Sequence, residues 1–165
     1  MNVSHQAMEQ TLIHTSLGPA ILQGNRTGLQ SLQFLDDSPP PPAGNVPSHL
    51  EKAANQISDY FRGTLKVFDL ELDLQGTSFQ QAVWKELLEI PWGQQITYLQ
   101  LATKLGIPVS VRAVAAAIGK NPLLVIIPCH RVVGSNGSLT GYAGGLQRKQ
   151  WLLEHEYQGG QQRLF

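Results

Sequence analysis

Thr97-Tyr98-Leu99-Gln100-Leu101-Ala102-Thr103-Lys104-Leu105-Gly106-Ile107-Pro108, continued by Val109-Ser110-Val111-Arg112-Ala113-Val114-Ala115-Ala116-Ala117-Ile118-Gly119-Lys120, is the stretch from which the fold is read. Thr97 and Gln100 form a capping box, and Tyr98, Leu101, Ala102 and Leu105 follow as one apolar stripe. Gly106-Ile107-Pro108 turns the chain, and a further helix runs from about Ser110 to Gly119. Two short helices joined by a tight glycine-containing turn outline a helix-turn-helix. In the second helix Val111, Val114, Ala115 and Ile118 share the face expected to pack inward. Arg112, Ala113, Ala116, Gly119 and Lys120 then face out. Small residues between two cations suit close approach to a DNA groove. An alanine-rich helix chosen for its propensity is the plainer reading, and these residues alone slightly favour it.

Downstream, Leu123-Leu124-Val125-Ile126-Ile127 predicts a buried strand, which Pro128 ends. Cys129, the single cysteine of the chain, then falls at a strand end facing a cleft. A lone cysteine makes no intramolecular disulfide, and one beside His130 and Arg131 is expected to have its pKa lowered toward the thiolate. A packed small hydrophobe is the competing reading, of about equal weight. Neighbouring strand residues point to opposite faces, so His130 reaches Cys129 only through a local turn or a bridging water. Gly134-Ser135-Asn136-Gly137-Ser138 predicts a hairpin tip or wing, and Gly141–Gly145 a bend that brings backbone amides near a ligand. The last helix spans about Leu146 to Glu156. Its stripe of Leu146, Lys149, Leu153 and Glu156 puts a carboxylate on a partly apolar face, where it needs a partner, and His130 is the obvious one.

Upstream, Thr77 and Gln80 make another capping box, with Phe79, Val83, Leu87 and Ile90 on one face before Pro91-Trp92-Gly93. Residues 1–75 predict a smaller α+β unit. Thr11–Thr15, Ala20–Gln23 and Ser31–Leu35 read as an antiparallel meander. Ser48 and Glu51 read as a capping box opening a helix with Leu50, Ala54, Ile57 and Phe61 on its stripe. Phe68, Leu70, Leu72 and Leu74 alternate with acids as a half-buried strand. Ser38–Gly44, with four consecutive prolines, reads as a loop or polyproline II spacer. His5, His14 and His49 fit no metal-ligand spacing, so no metal is expected.

The 165 residues suffice for one domain or two small ones, and 42% hydrophobic content supports a core. Twelve basic residues balance twelve acidic ones, so any nucleic-acid contact has to be local. No apolar run approaches the roughly 18 residues of a membrane span, and no signal-peptide core is read at Met1–Gln10, which leads to an expected reducing, cytoplasmic location.

Pro128-Cys129-His130-Arg131-Val132, with Asn121-Pro122 before it and Gly141-Tyr142-Ala143-Gly144-Gly145-Leu146 and Trp151-Leu152-Leu153-Glu154-His155-Glu156 after it, resembles the O6-alkylguanine-DNA alkyltransferase family (methylated-DNA–protein-cysteine methyltransferases). The resemblance runs without gaps from about Phe79 to Glu156; the first seventy-odd residues share only the general layout. It implies a ribonuclease H-like domain at 1–75 and a winged-helix-like alkyltransferase domain at 76–165. The implied activity is irreversible, stoichiometric transfer of an alkyl group from O6-alkylguanine in duplex DNA, with O4-alkylthymine as a further substrate, to Cys129. His130 becomes the base acting through a water, Glu156 its orienting carboxylate and Asn121 a positioning residue. Tyr98 becomes the proton donor to the departing guanine. On residues alone, core packing for Tyr98 and turn formation for Asn121 compete with these roles.

The resemblance also implies that the second helix docks in the minor groove through Ala113, Ala116, Gly119 and Lys120. Arg112 then fills the gap left by a rotated-out nucleotide. Val132, Tyr142, Ala143 and Gly144 form the base pocket. Where Ala143 stands some members have serine, so a contact to the guanine oxygen has to come from the backbone amide. No cofactor is implied. The partner is lesion-bearing duplex DNA, bound by a monomer that can act cooperatively along it. A lesion-binding module without chemistry is the rival, opposed by the presence of Cys129. A winged-helix regulator is opposed by the neutral charge, and a cysteine hydrolase by the close spacing of Asn121, Cys129 and His130.

Overall fold

The computed structural model describes residues 7–37 and 45–157. The chain divides into two compact units, 1–75 and 76–165, considered in turn. The proline-rich stretch Ser38–Gly44 and His5 lie outside the described residues.

In the first unit β1 (Glu9–Thr15), β2 (Gly18–Asn25) and β3 (Gly28–Phe34) form an antiparallel meander. Thr11 sits opposite Leu22 and Leu22 opposite Leu32. Burial in β2 follows the period of two that a one-sided sheet imposes, with Ala20, Leu22 and Gly24 inward. Helix α1 (Ser48–Phe61) covers β2 and β1. Its buried residues are Leu50, Ala53, Ile57 and Tyr60, so the expected Ala54 and Phe61 each lie one position off the true stripe. Ser48 is also not a cap: Pro47 occupies that position and no side chain caps the helix. The alternating segment after α1 keeps its half-buried leucines but forms a single parallel bridge, Leu29 to Leu72, rather than a strand. Leu29 N–H donates to Glu71 O at 2.9 Å and Asp73 N–H to Leu29 O at 2.8 Å. This crossing requires glycine at 28, where a Cβ would lie 2.9 Å from Asp73 N.

In the second unit α2 (Ser78–Leu87) and α3 (Tyr98–Lys104) both begin with the expected capping boxes, at Thr77/Gln80 and Thr97/Gln100. On α2 the buried residues are Val83, Trp84 and Leu87. Phe79, expected inside, is 39% exposed, because Trp84 takes the inner face. Helix α3 ends in a Schellman motif: Gly106 N–H donates to Thr103 O and Ile107 N–H to Ala102 O, both at 2.9 Å, with Gly106 at φ 77°. A 3-10 turn, Pro108–Ser110, leads into α4 (Val111–Gly119). Val114, Ala117 and Ile118 are its buried residues, whereas Ala115, expected inward, is half-exposed.

The apolar run after α4 is buried but is not a strand. Leu123–Ile127 coils through turns, with Ile126 N–H donating to Leu124 O and Ile127 N–H to Leu123 O. Val125 adopts φ 72°, a conformation costly for a β-branched side chain. An apolar run announces burial without announcing conformation. Cys129–Arg131 is a 3-10 turn, and β5 (Val132–Val133) pairs in parallel with β4 (Ile96–Thr97). Gly134–Ser138 is a turn closed by Gly134 N–H to Ser138 O at 2.9 Å. Among the described residues no strand after this turn pairs with β5, which pairs instead with β4, far upstream. Helix α5 (Leu146–Glu156) buries Lys149, Leu152, Leu153 and Glu156. Leu146, expected on that face, is 48% exposed at the first turn.

Helix α4 is held from below by one buried bond, Trp84 Nε1–H to Ala117 O at 2.9 Å. Trp84→Phe removes this donor and part of the ring, and is expected to destabilise the second unit by about 1–3 kcal/mol. Urea unfolding followed by fluorescence checks this; no loss of stability would show that the bond contributes nothing.

Candidate active site

Cys129 is 3% exposed and closes the inner end of a cleft of about 600 Å³. That volume is in the range of small-molecule sites. One wall of the cleft comes from α4, through Arg112, Ala115 and Gly119, and the opposite wall from Thr140, Tyr142 and Ala143. Tyr98, at the start of α3, also lines it.

Asn121 fixes the thiol. Its Nδ2–H₂ group donates to Cys129 Sγ at 3.0 Å and to Ile127 O at 2.9 Å, while its Oδ1 accepts from Leu123 N–H at 2.9 Å. One side chain thus satisfies backbone groups that a sheet partner would otherwise satisfy. Burial pushes the Cys129 thiol up to about 11, against the opposing pull of Asn121 and the Lys149 charge. This reverses the lowered value expected from sequence: the neighbours do favour the thiolate, but loss of solvation outweighs them.

The 3-10 turn sends His130 away from solvent, at 0% exposure. His130 Nε2 lies 2.7 Å from Glu156 Oε2; a carboxylate only accepts, so this nitrogen carries the proton. Nδ1 has no hydrogen-bond partner among the described residues. Burial holds the imidazole below its ordinary value despite the pull of Glu156, with Arg131 and Lys149 adding to the effect. For Glu156, burial pushes the carboxyl up, but His130 and Arg131 together hold it well below the usual carboxylate range.

Tyr98 Oη–H donates to Thr140 O at 2.9 Å, and burial raises its pKa. The Tyr142 hydroxyl has no hydrogen-bond partner among the described residues, and burial raises its pKa well above the ordinary value.

The cleft thus gathers Cys129, Tyr98, Arg112, Gly119, Tyr142 and Ala143, with Asn121, His130 and Glu156 buried behind the thiol. Ala113, Ala116 and Lys120 lie on the exposed outer face of α4, away from the cleft lining. Val132 is fully buried in the β4–β5 pair and does not line the cleft. Gly144 is buried, its carbonyl accepting from Arg148 Nη1–H at 3.0 Å.

Two buried cations, Lys149 and Arg131, make contacts that the sequence does not announce. Lys149, at 0% exposure, donates to Thr140 O at 3.0 Å and Gly141 O at 3.3 Å. Burial brings it down to about 8, with Cys129 acting in the opposite direction. Arg131 binds Glu156 through two nitrogens. A lysine on an apolar helical stripe was the visible signal for the first; nothing in the spacing marked the second.

The model of the family "6-O-methylguanine DNA methyltransferase, DNA binding domain" matches residues 78–158. A methylated-DNA–protein-cysteine methyltransferase of Mycobacterium bovis is 45% identical over 147 residues, covering 87% of this chain and 89% of the relative. One from Methanosarcina barkeri is 45% identical over 153 residues, covering 90% and 97%. Among solved structures, Mycobacterium tuberculosis OGT in complex with DNA superposes with a TM-score of 0.80 at 44% identity, covering 89% of this chain and 91% of the other. Identity of this order over nearly the whole chain, together with a sole cysteine at the end of the cleft, establishes that the chain belongs to the methylated-DNA–protein-cysteine methyltransferase family of DNA repair enzymes.

Proposed function

We propose that the chain takes the alkyl group from O6-alkylguanine in duplex DNA onto Cys129 Sγ, once per molecule, with O4-alkylthymine as a second substrate. The observation that carries this reading is the position of Cys129: at the inner end of a cleft walled by α4, in contact with Asn121, and next in the chain to the buried His130–Glu156 pair. The small exposed residues Ala113, Ala116 and Gly119, flanked by Arg112 and Lys120, enter the minor groove. Arg112, at the cleft mouth, occupies the space of the nucleotide rotated into the cleft. The base lies between Tyr98, Tyr142 and Ala143, which line the cleft beside Cys129.

The raised thiol means that Cys129 does not ionise unaided at neutral pH. His130 Nδ1 takes the proton through a water, while Glu156 keeps Nε2–H in place. The thiolate attacks the saturated alkyl carbon, a C–S bond forms and the C–O bond breaks. The guanine leaves with the electron pair and takes a proton from Tyr98 Oη. The thioether has no hydrolytic exit, so the protein reacts once. The reaction needs no cofactor. Residues 1–75 serve as a ribonuclease H-like domain, a reading supported by the meander with one covering helix. Residues 76–165 serve as a winged-helix-like domain, supported by the helix-turn-helix. The protein works as a cytoplasmic monomer that can bind cooperatively along DNA.

Mixing the protein with duplex DNA carrying O6-methylguanine and measuring intact mass is expected to show one added methyl, mapped to Cys129. Cys129→Ser is expected to keep lesion-DNA affinity and lose transfer by at least about a thousand-fold. Transfer at a comparable rate by that variant would refute the mechanism. Arg112→Ala is expected to weaken lesion-duplex binding roughly ten-fold, a loss of order 1.4 kcal/mol, and to slow transfer with it. Unchanged affinity would remove its assigned role. Because burial depresses the His130 ionisation below 6.5, the base stays neutral as pH falls through that value. Transfer is therefore expected to persist below pH 6.5 and to fail only in more acid solution; half-loss at a higher pH would contradict the assignment.

A further inference from the structure

Arg131 is 6% exposed and each of its three nitrogens donates to a buried acceptor. Nε–H donates to Glu156 Oε1 at 2.8 Å, Nη2–H to Glu156 Oε2 at 2.9 Å and Nη1–H to Ile90 O at 2.6 Å. Glu156 Oε2 therefore accepts from Arg131 and from His130 at once. Orienting an imidazole requires only the carboxylate, and burying a guanidinium is costly. The arginine must add something the Glu156–His130 pair lacks.

Charge supplies the answer. A carboxylate at 1% exposure beside an imidazole and no other cation draws a proton onto the ring, giving a buried imidazolium–carboxylate pair. In that form Nδ1 bears a proton and cannot accept another. With Arg131 bound to both oxygens, the carboxylate is already neutralised, and the ring stays uncharged with Nδ1 bare. The other charged group acting on the ring is Lys149 on α5, whose positive charge works in the same direction. Tyr142, across the cleft, senses Cys129 and Glu156 and is itself held un-ionised by burial.

We propose that Arg131 is a positioning residue for the transfer reaction, holding Glu156 as an anion whose charge is spent on the guanidinium so that His130 remains the neutral Nε2–H tautomer, ready to act as a base at Nδ1. The inference rests on His130 being that base. It assigns the buried cation of the turn a chemical task distinct from packing. It also accounts for the bidentate geometry, since a one-point contact would leave Oε1 with uncompensated charge.

The test uses the full-length protein free of DNA, with nitrogen-15 NMR of the imidazole reading tautomer and titration, alongside the pH profile of methyl transfer from lesion duplex. In the native protein His130 is expected to be neutral and protonated at Nε2 at neutral pH. An imidazolium or an Nδ1–H tautomer there overturns the proposal whatever the variants do. In Arg131→Gln, which keeps a donor but drops the charge, the His130 titration is expected to rise by roughly one pH unit or more. Transfer should then slow at neutral pH and recover in alkaline solution. In Arg131→Lys, which keeps the charge, the titration is expected to stay near the native position. A Gln variant that titrates as the native protein does, or a Lys variant displaced as far as the Gln variant, overturns the proposal. If the Gln variant does not fold, the native tautomer and the Lys variant still decide. A protein with the expected imidazole state but no transfer would count against alkyl transfer and leave the Arg131 assignment standing.

Discussion

Glu156 accepts hydrogen bonds from two successive residues of one 3-10 turn, His130 and Arg131, at 1% exposure. No solvent is available to compensate any of the three charges or dipoles, so each partner is needed by the others. Removing one leaves a buried group uncompensated, a penalty of several kcal/mol. This requirement locks α5 to the turn that bears Cys129. Through Arg131 Nη1 and Ile90 O it also locks that turn to the chain segment following α2. The thiol is consequently placed by a polar network in a region that is otherwise packed with leucine, isoleucine and valine.

Asn121 plays a similar part on the other side of the thiol. The segment from Leu123 to Ile127 is buried yet forms no strand, and its backbone polar groups need satisfaction. Asn121 answers with three contacts, one of them to the sulfur itself. The left-handed Val125 lies between those contacts, at φ 72°. Such a conformation persists only where the surroundings over-determine it, and the Asn121 bridge provides that constraint. The chain just after α4 and Cys129 are thus joined by a side chain rather than by a ladder.

The helices of the second unit were legible because their signals are local. Capping boxes at Thr77 and Thr97, and the glycine at 106, each declare themselves within four residues. The outward face of α4 was equally legible, since a 3.6-residue period assigns faces without reference to the remainder of the fold. The buried run before Cys129 was not. Five consecutive apolar residues say that a segment is inside, and the contacts of the Asn121 side chain, which no spacing announces, go with its coiling. The stripe of α1 slipped by one residue because Ala53 and Ala54, like Tyr60 and Phe61, are adjacent alternatives of similar character, and the sheet chooses between them. The pairing of Glu156 with His130 was legible as a need for a partner, whereas Arg131 looked like a bystander that lowers a thiol pKa. Its actual engagement with Glu156 depends on a 3-10 turn that no spacing announces.

The same turn accounts for the unusual condition of Cys129. Cys129 is surrounded by groups that favour its anion, yet burial pushes its thiol up to about 11. A thiol kept in this state is protected from casual electrophiles and oxidants, which attack the thiolate. Protection matters more for an acceptor used once than for a catalyst that turns over, because every stray reaction consumes a molecule. In the proposed mechanism, ionisation is delegated to a neutral, buried imidazole whose own protonation is resisted by desolvation and by Arg131. Reactivity then depends on a substrate that brings a reactive carbon to the end of the cleft. Burial, which makes the cysteine look inert, is in this arrangement what reserves it for one kind of encounter.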